Sequence, residues 1–368
     1  MIKVINIISD TNIGGAGKCL LAFLDRYDRA KFDLEVFIPF DSRLKEEIAA
    51  RDVPFTEVPH IADQSSNPKA INQLLHLFRQ KKPDIVHTHA AMSARIAAKL
   101  YRKCKIVHTR HSVFEPPKQM TTFPRKQING FLNNYFGDIM IAVSPAARDN
   151  LIQIGADEKK IVVVFNGVDR PLQLSATEKN QIRQRLGLKE TDFIVAILAR
   201  LEEVKGHHYV MEAAKKLQQT EPQIKILIVG TGTLEADLRR RKEQENLDNV
   251  ILTGFVKEIH EIENIMDLQI NASYGTEATS LSLLEGMSLS VPAVVSDFGG
   301  NPYVIKENIN GIVVPKKSTE ALYDGILSIK NDTEQYRKLQ KNAAEEFKKN
   351  YTSEQMAKNI MDVYESLR

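Results

Sequence analysis

Glu277 and Glu285 stand eight positions apart in a stretch that runs from Thr276 to Gly300. Their spacing puts one carboxylate on a turn and the other inside a short following helix. Thr279, Ser280 and Ser282 lie between them, and small polar residues of this kind open helices. A free helix N-terminus points unpaired N–H groups outward and favours an anion. The segment therefore offers a phosphate seat flanked by acidic side chains, which suits a ligand that is part phosphate and part polyol, such as a nucleotide sugar. The plainer reading is a capped surface helix with two solvated glutamates.

Other residues with chemical capacity fall in loops. Arg200 and Lys205 lie between a strand and a helix in Leu198–Gly206, where two cations can clamp a diphosphate or simply be solvated. Gly230 and Gly232 follow the next strand and allow backbone approach to a ligand, or a turn. Near the start, Gly14, Gly15 and Gly17 precede Lys18. This resembles a P-loop, but Asn12 occupies the position of its first glycine and Cys19 that of its magnesium-binding hydroxyl. A dinucleotide fingerprint fails at Leu20; a tight strand-to-helix turn is the remaining reading. His87, His89, His108 and His111 are expected to cluster after two neighbouring strands. Their spacing does not match the zinc helix pattern, and the chain has no Asp-x-Asp triplet. No metal is expected. His111 sits furthest past its strand and is the histidine expected to reach a ligand.

The elements that must position these residues alternate. Apolar runs at Lys3–Ile8, Asp33–Ile38, Asp84–His87, Lys105–His108, Asp138–Val143 and Ile161–Phe165 are separated by helical patterns at Ala16–Tyr27, Pro68–Gln80, Ala91–Tyr101 and Pro145–Ile154. The alternation pauses at the turn-rich Asn166–Pro171. After a helix near Ala176–Leu186 it restarts at Phe193–Ala199, Ile224–Val229, Val250–Thr253, Leu268–Asn271, Ala293–Ser296 and Ile312–Val314. Short apolar runs between helices indicate βαβ units and a parallel sheet. The pattern predicts two Rossmann-like, doubly wound α/β domains, residues 1–170 and 171–352, with a last helix at about 353–368 packing back on the first. Ligands of such sheets sit beyond the carboxyl ends of the strands. If those ends face one another, the site lies in a cleft.

A chain of 368 residues fits two domains. Cys19 and Cys104 are its only cysteines, which argues against a disulfide framework and fits a reducing cytoplasm. The N-terminus reads as a buried strand rather than a signal peptide, and no apolar run approaches the ~20 residues of a membrane span. Residues 1–170 carry 25 Lys and Arg against 18 Asp and Glu, whereas 171–368 carry 25 against 29. A basic front half should meet something anionic. Nucleic acid is not expected, because no dense Lys/Arg stripe or nucleic-acid motif is present. Pro116–Tyr135 mixes Lys118, Arg125 and Lys126 with Phe123, Phe131 and Tyr135. It could lie on an anionic membrane from the cytoplasmic side, or pack its aromatics inside.

The ordered set resembles the retaining glycosyltransferases of the GT4 group, which have the GT-B fold. It comprises Gly14-Gly15-Ala16, His111, Asn166 to Asp169, Arg200 with Lys205-Gly206, Gly230 to Gly232, Glu277 with Glu285, Val291-Pro292 and Gly299-Gly300. The resemblance implies transfer of a sugar from a UDP- or GDP-sugar to a lipid-linked or saccharide acceptor in cell-surface polysaccharide or glycolipid synthesis. It implies that Arg200 and Lys205 neutralise the donor diphosphate and that Leu281 and Ser282 N–H groups bind phosphate. Glu285 would grip the ribose, Glu277 would hold the moving sugar, Gly14 and Gly15 would approach the diphosphate and acceptor, and His111 would contact the sugar. No cofactor or metal is implied. The chain departs from the family at Ala278-Thr279-Ser280, where Gly-Phe-Pro is common, and after Gly300, where Asn301-Pro302-Tyr303 lacks the usual glutamate. Two other functions compete: a non-catalytic protein that keeps nucleotide-sugar binding, and a glycoside hydrolase using Glu277 and Glu285.

Overall fold

The structure is a computed structural model that describes residues 1–62 and 66–368. It divides into two units, Met1–Val168 with Thr352–Arg368, and Asp169–Tyr351.

Among the described residues, the first unit holds seven parallel strands: β1 (Ile2–Ile8), β2 (Phe32–Pro39), β3 (Phe55–Val58), β4 (Ile85–His89), β5 (Lys105–Arg110), β6 (Ile139–Ala142) and β7 (Ile161–Val163). Their order is β3-β2-β1-β4-β5-β6-β7. Ile5, Ile7, Phe37 and Val86 point into one buried layer with Leu74, Phe78, Ala94 and Ala98 from the covering helices. Helices on both faces explain why these strands read as nearly continuous apolar runs rather than alternating ones.

The second unit repeats the plan with six strands: β8 (Phe193–Leu198), β9 (Ile224–Val229), β10 (Val250–Gly254), β11 (Leu268–Asn271), β12 (Ala293–Ser296) and β13 (Gly311–Val314). Their order is β10-β9-β8-β11-β12-β13. Val195 and Ile197 pack into one core layer, and Ile194 and Ala196 into the layer on the other face.

Both sheets are two Rossmann-like α/β layers with a reversal of strand order. It falls between β1 and β4 in the first unit and between β8 and β11 in the second. Chain connections leave in opposite directions there, so a crevice opens beyond the strand ends. The loops at the second reversal are Ala199–Gly206 and Ala272–Ser280, which carry Arg200, Lys205 and Glu277.

The last helix, Ser353–Ser366, belongs to the first unit. Its Tyr364 is fully buried among Phe23, Phe32 and His87.

Three differences from the sequence reading have physical reasons. The helix Leu44–Ala49 and edge strand β3 were not in the predicted alternation; β3 has four residues, two of them Thr56 and Glu57, and is mostly half-buried, so its apolar signal is faint. The helix predicted over Ala16–Tyr27 ends at Leu24. In the Pro116–Tyr135 excursion, the helix Arg125–Tyr135 turns Phe131 and Tyr135 outward and leaves Phe123 exposed before it. Among the described residues, no helix is long and apolar enough to cross a membrane.

Candidate active site

The second unit brings Lys205 and Glu277 into direct contact. Lys205 Nζ donates to Glu277 Oε2 at 3.0 Å and to the Thr276 carbonyl at 3.0 Å. Asn271 Nδ2 and Ser273 Oγ donate to the same carboxylate oxygen at 3.2 and 3.1 Å. The pair is nearly enclosed, with side-chain exposures of 14% and 9%. A charge buried this far needs a partner and further donors to offset desolvation, and here it has both. Lys205 is therefore no solvated surface cation.

Two glycines build this contact. Gly206 ends the turn Glu203–Lys205 with φ 77°, and a Cβ there would stand 2.2 Å from the Ala272 carbonyl. Only glycine gives that close approach of the loops after β8 and β11. Gly299 has φ 60° and presses on the Glu277 carbonyl, which accepts the Gly300 N–H at 3.0 Å. The Gly299-Gly300 pair thus sets the backbone that aims Glu277.

Arg200 is brought to the same loop but not to the ion pair. Its side chain is 70% exposed, and Nη1 donates to Glu202 at 2.6 Å. Its backbone is fixed: His207 Nε2 lies 2.9 Å from the Arg200 carbonyl, and Leu201 N–H donates to Thr231 at 2.9 Å. A carbonyl only accepts, so Nε2 of His207 carries the proton. Burial lowers the pKa of this ring, keeping it neutral. Gly230 lies against the Ala199 carbonyl and donates its N–H to Gly254 at 3.0 Å.

The helix Leu281–Ser288 follows Glu277. Ser280 caps it, accepting from Leu283 N–H at 3.4 Å. Ser282 Oγ donates to the carbonyl of Leu198, at the end of β8, at 3.1 Å, which moors the helix start beside the Arg200 loop. The N–H groups of Leu281 and Ser282 have no acceptor inside the helix. Glu285 is half-buried and one turn further on, four residues after Leu281 and so on the same flank.

In the first unit, Gly14 is the N-cap and Gly15 the first residue of the helix Gly15–Leu24, with Lys18 N–H bonded to the Gly14 carbonyl. The histidines are not a cluster beyond the strands. His87, His89 and His108 lie within β4 and β5. Side chains alternate across a strand, so His87, His89, Thr109 and His111 share one face, whereas His108 faces the other with Thr88. His111, one residue past β5, lies 2.8 Å from His89 Nδ1 through its Nε2. His87 contacts Thr109 Oγ1 at 2.6 Å and Tyr364 Oη at 2.7 Å. Burial pushes His111 down to about 4 and His87 to about 3, the latter aided by His111; His89 is held well below its usual value for the same reason. These rings are neutral hydrogen-bonding groups near pH 7.

Sequence reasoning missed Asn271, Ser273, His207 and Tyr364, and it named His89 without seeing that it holds His111. The first two lie at the end of β11 and just beyond it, where the strand-end rule could have found them. Tyr364 comes from the far end of the chain and carries no local signal.

Two family models match in tandem: Glycosyltransferase Family 4 over residues 13–170 and Glycosyl transferases group 1 over 178–346. A galactosyltransferase from Escherichia coli, named as UDP-Gal:alpha-D-GlcNAc-diphosphoundecaprenol alpha-1,3-galactosyltransferase, is 26% identical over 350 residues, covering 90% of this chain and 88% of that one. The alpha-monoglucosyldiacylglycerol synthase of Acholeplasma laidlawii is 25% identical over 315 residues, 80% of this chain and 78% of its own. The crystal structure of Anabaena HepE in complex with UDP superposes with a TM-score of 0.84 at 20% identity, covering 99% of this chain and all of that one, which shows the shared fold. With both halves matched in order and two Rossmann-like domains in place, the chain belongs to the GT4-type group 1 glycosyltransferases.

Proposed function

We propose that this glycosyltransferase moves a sugar from a UDP- or GDP-sugar to a lipid-linked or saccharide acceptor, with retention of anomeric configuration and without a metal, in cell-surface polysaccharide or glycolipid synthesis. The observation that carries the reading is the enclosed Lys205–Glu277 pair at the strand-order reversal, beside the start of the Leu281–Ser288 helix. Support comes from the two relatives, whose names give a lipid-diphosphate-linked and a glycolipid product, and from the neighbour crystallised with UDP.

Breaking the bond between sugar and phosphate builds negative charge on the leaving diphosphate and positive character on the sugar ring. Arg200, Lys205 and the N–H groups of Leu281 and Ser282 answer the first, acting where charge develops. Arg200 exchanges Glu202 for the diphosphate as the donor enters. Glu277 answers the second: its Oε2 is taken by Lys205, Asn271 and Ser273, so Oε1 is the oxygen presented to the sugar hydroxyls. Glu285 grips the ribose. In the first unit, Gly14 and Gly15 approach diphosphate and acceptor, and His111, held by His89, donates to or accepts from the sugar. The acceptor hydroxyl attacks on the face the diphosphate leaves, and a leaving phosphate oxygen takes its proton. A lipid-linked acceptor places this chemistry at an anionic membrane surface on the cytoplasmic side.

A panel of UDP- and GDP-sugars, scored by thermal shift and by transfer to a lipid extract, tests the reading. At least one donor should raise the melting temperature and be consumed with EDTA present. If none binds, or EDTA abolishes turnover, the assignment is wrong.

A further inference from the structure

From Pro116 to Gly137 the chain has no Asp or Glu but carries Lys118, Arg125 and Lys126. The structure turns this stretch into a surface. Ile128, Phe131 and Tyr135 lie on one stripe of the helix Arg125–Tyr135 and are 53%, 61% and 45% exposed, with Phe123 at 81% just before it. Spacings of three and four keep the stripe on one face.

The opposite face is locked. Gly130 is buried so close to Gly155 that an added Cβ would meet its carbonyl at 2.3 Å. Asn134 Oδ1 accepts the Asp157 N–H at 2.8 Å, and Lys160 Nζ donates to the Asn134 carbonyl at 2.6 Å. The helix cannot roll its apolar stripe inward. Phe131 and Tyr135 stack at 5.3 Å, and Lys99 stands over the Tyr135 ring at 4.6 Å. Beyond Lys99, the exposed Leu100, Arg102, Lys103 and Lys105 extend the same apolar and basic character, and a groove there is lined by Lys99, Lys103 and Tyr135. The acidic side chains of its lining, Asp84 and Asp138, accept from the backbone N–H groups of Lys3 and Ile106.

We propose that Phe123, Ile128, Phe131 and Tyr135, with Lys118, Arg125, Lys126 and Lys99 around them, form a docking surface for an anionic lipid bilayer, the helix Arg125–Tyr135 lying in the interfacial plane. The inference deepens the membrane-side acceptor reading above and rests on it. Aromatic rings enter the headgroup boundary while Lys and Arg meet lipid phosphate, and both contribute to partitioning. Charge complementarity selects the occupant. A second copy of this chain would set the same cations against each other with no acid in the segment to pair them, whereas an anionic leaflet supplies the missing charge.

The chain has no tryptophan, so Phe131→Trp is a clean probe. Its emission should shift to the blue with vesicles of about 30% phosphatidylglycerol, not with phosphatidylcholine alone, and the shift should fall at high salt. Co-sedimentation of Phe123→Ser/Phe131→Ser and of Lys118→Gln/Arg125→Gln with the same vesicles should drop at least about tenfold. These side chains are exposed, so melting temperature and the thermal shift with UDP should stay at wild-type values. That readout separates loss of the surface from failure of the donor reading. Absence of wild-type binding to phosphatidylglycerol vesicles, or equal binding by both double variants, overturns the proposal. So does a dimer in solution that Phe131→Ser dissociates.

Discussion

At the scale of single residues, Lys205 and Arg200 do different work despite both being cations after β8. Lys205 is enclosed and holds Glu277, whereas Arg200 is mostly exposed and paired only with Glu202. Arg200→Ala should therefore lower turnover about 10²–10³-fold with a melting temperature close to wild type. Lys205→Ala should lower turnover as far and also cost about 3 kcal/mol of stability, since it strands a buried carboxylate; chemical denaturation reads the difference. The histidines predict a pH effect. His87 and His111 are neutral when folded because burial depresses them to about 3 and 4, whereas the unfolded chain protonates near 6.5. The unfolded state thus binds more protons below that value, and stability present at pH 7 is lost as pH falls. Between pH 7 and pH 5 each ring should cost about 2 kcal/mol, and His87→Asn, which keeps a hydrogen-bonding group but cannot titrate, should flatten the pH dependence of the melting curve.

At the scale of elements, the site depends on how closely two loops and one helix approach. Gly206→Ala adds a Cβ where the Ala272 carbonyl stands 2.2 Å away and φ is 77°, so the loops after β8 and β11 must part. Donor binding should fall at least about tenfold, and a crystal structure or a UDP titration would show it. Ser280→Ala should cost only about 1 kcal/mol, the usual value of a lost cap. This is also the scale at which the sequence was most readable. The loops after strands were legible because parallel strands buried on both sides leave continuous apolar runs, and Arg200, Lys205 and Glu277 could be placed just beyond them. Less was legible where contact depends on strand register. Four histidines in a row of loops and strands looked like one cluster, but alternation sends His108 to the far face. Nothing near Lys205 in the chain announces that Glu277, seventy-two residues later, is its partner. The outward aromatics of Arg125–Tyr135 were equally hidden, because which side of that helix is covered is decided by Gly155.

At the scale of the whole molecule, two sheets of one plan each have a reversal of strand order, the second of them beside the loops that carry Arg200, Lys205 and Glu277, and the last helix returns to the first unit through Tyr364. Ligand that binds only the folded chain must stabilise it: UDP at a hundred times its dissociation constant should add about 2.7 kcal/mol, and under the ribose contact proposed for Glu285 the gain should shrink in Glu285→Ala. The most direct test of the account is donor-dependent sugar incorporation into a lipid extract by wild type and by Glu277→Gln, each at saturating nucleotide sugar. The account predicts incorporation by the wild type and a fall of at least about 100-fold in Glu277→Gln, with nucleotide affinity within a few-fold. Incorporation by Glu277→Gln at the wild-type rate, or none by the wild type with any donor, would contradict it.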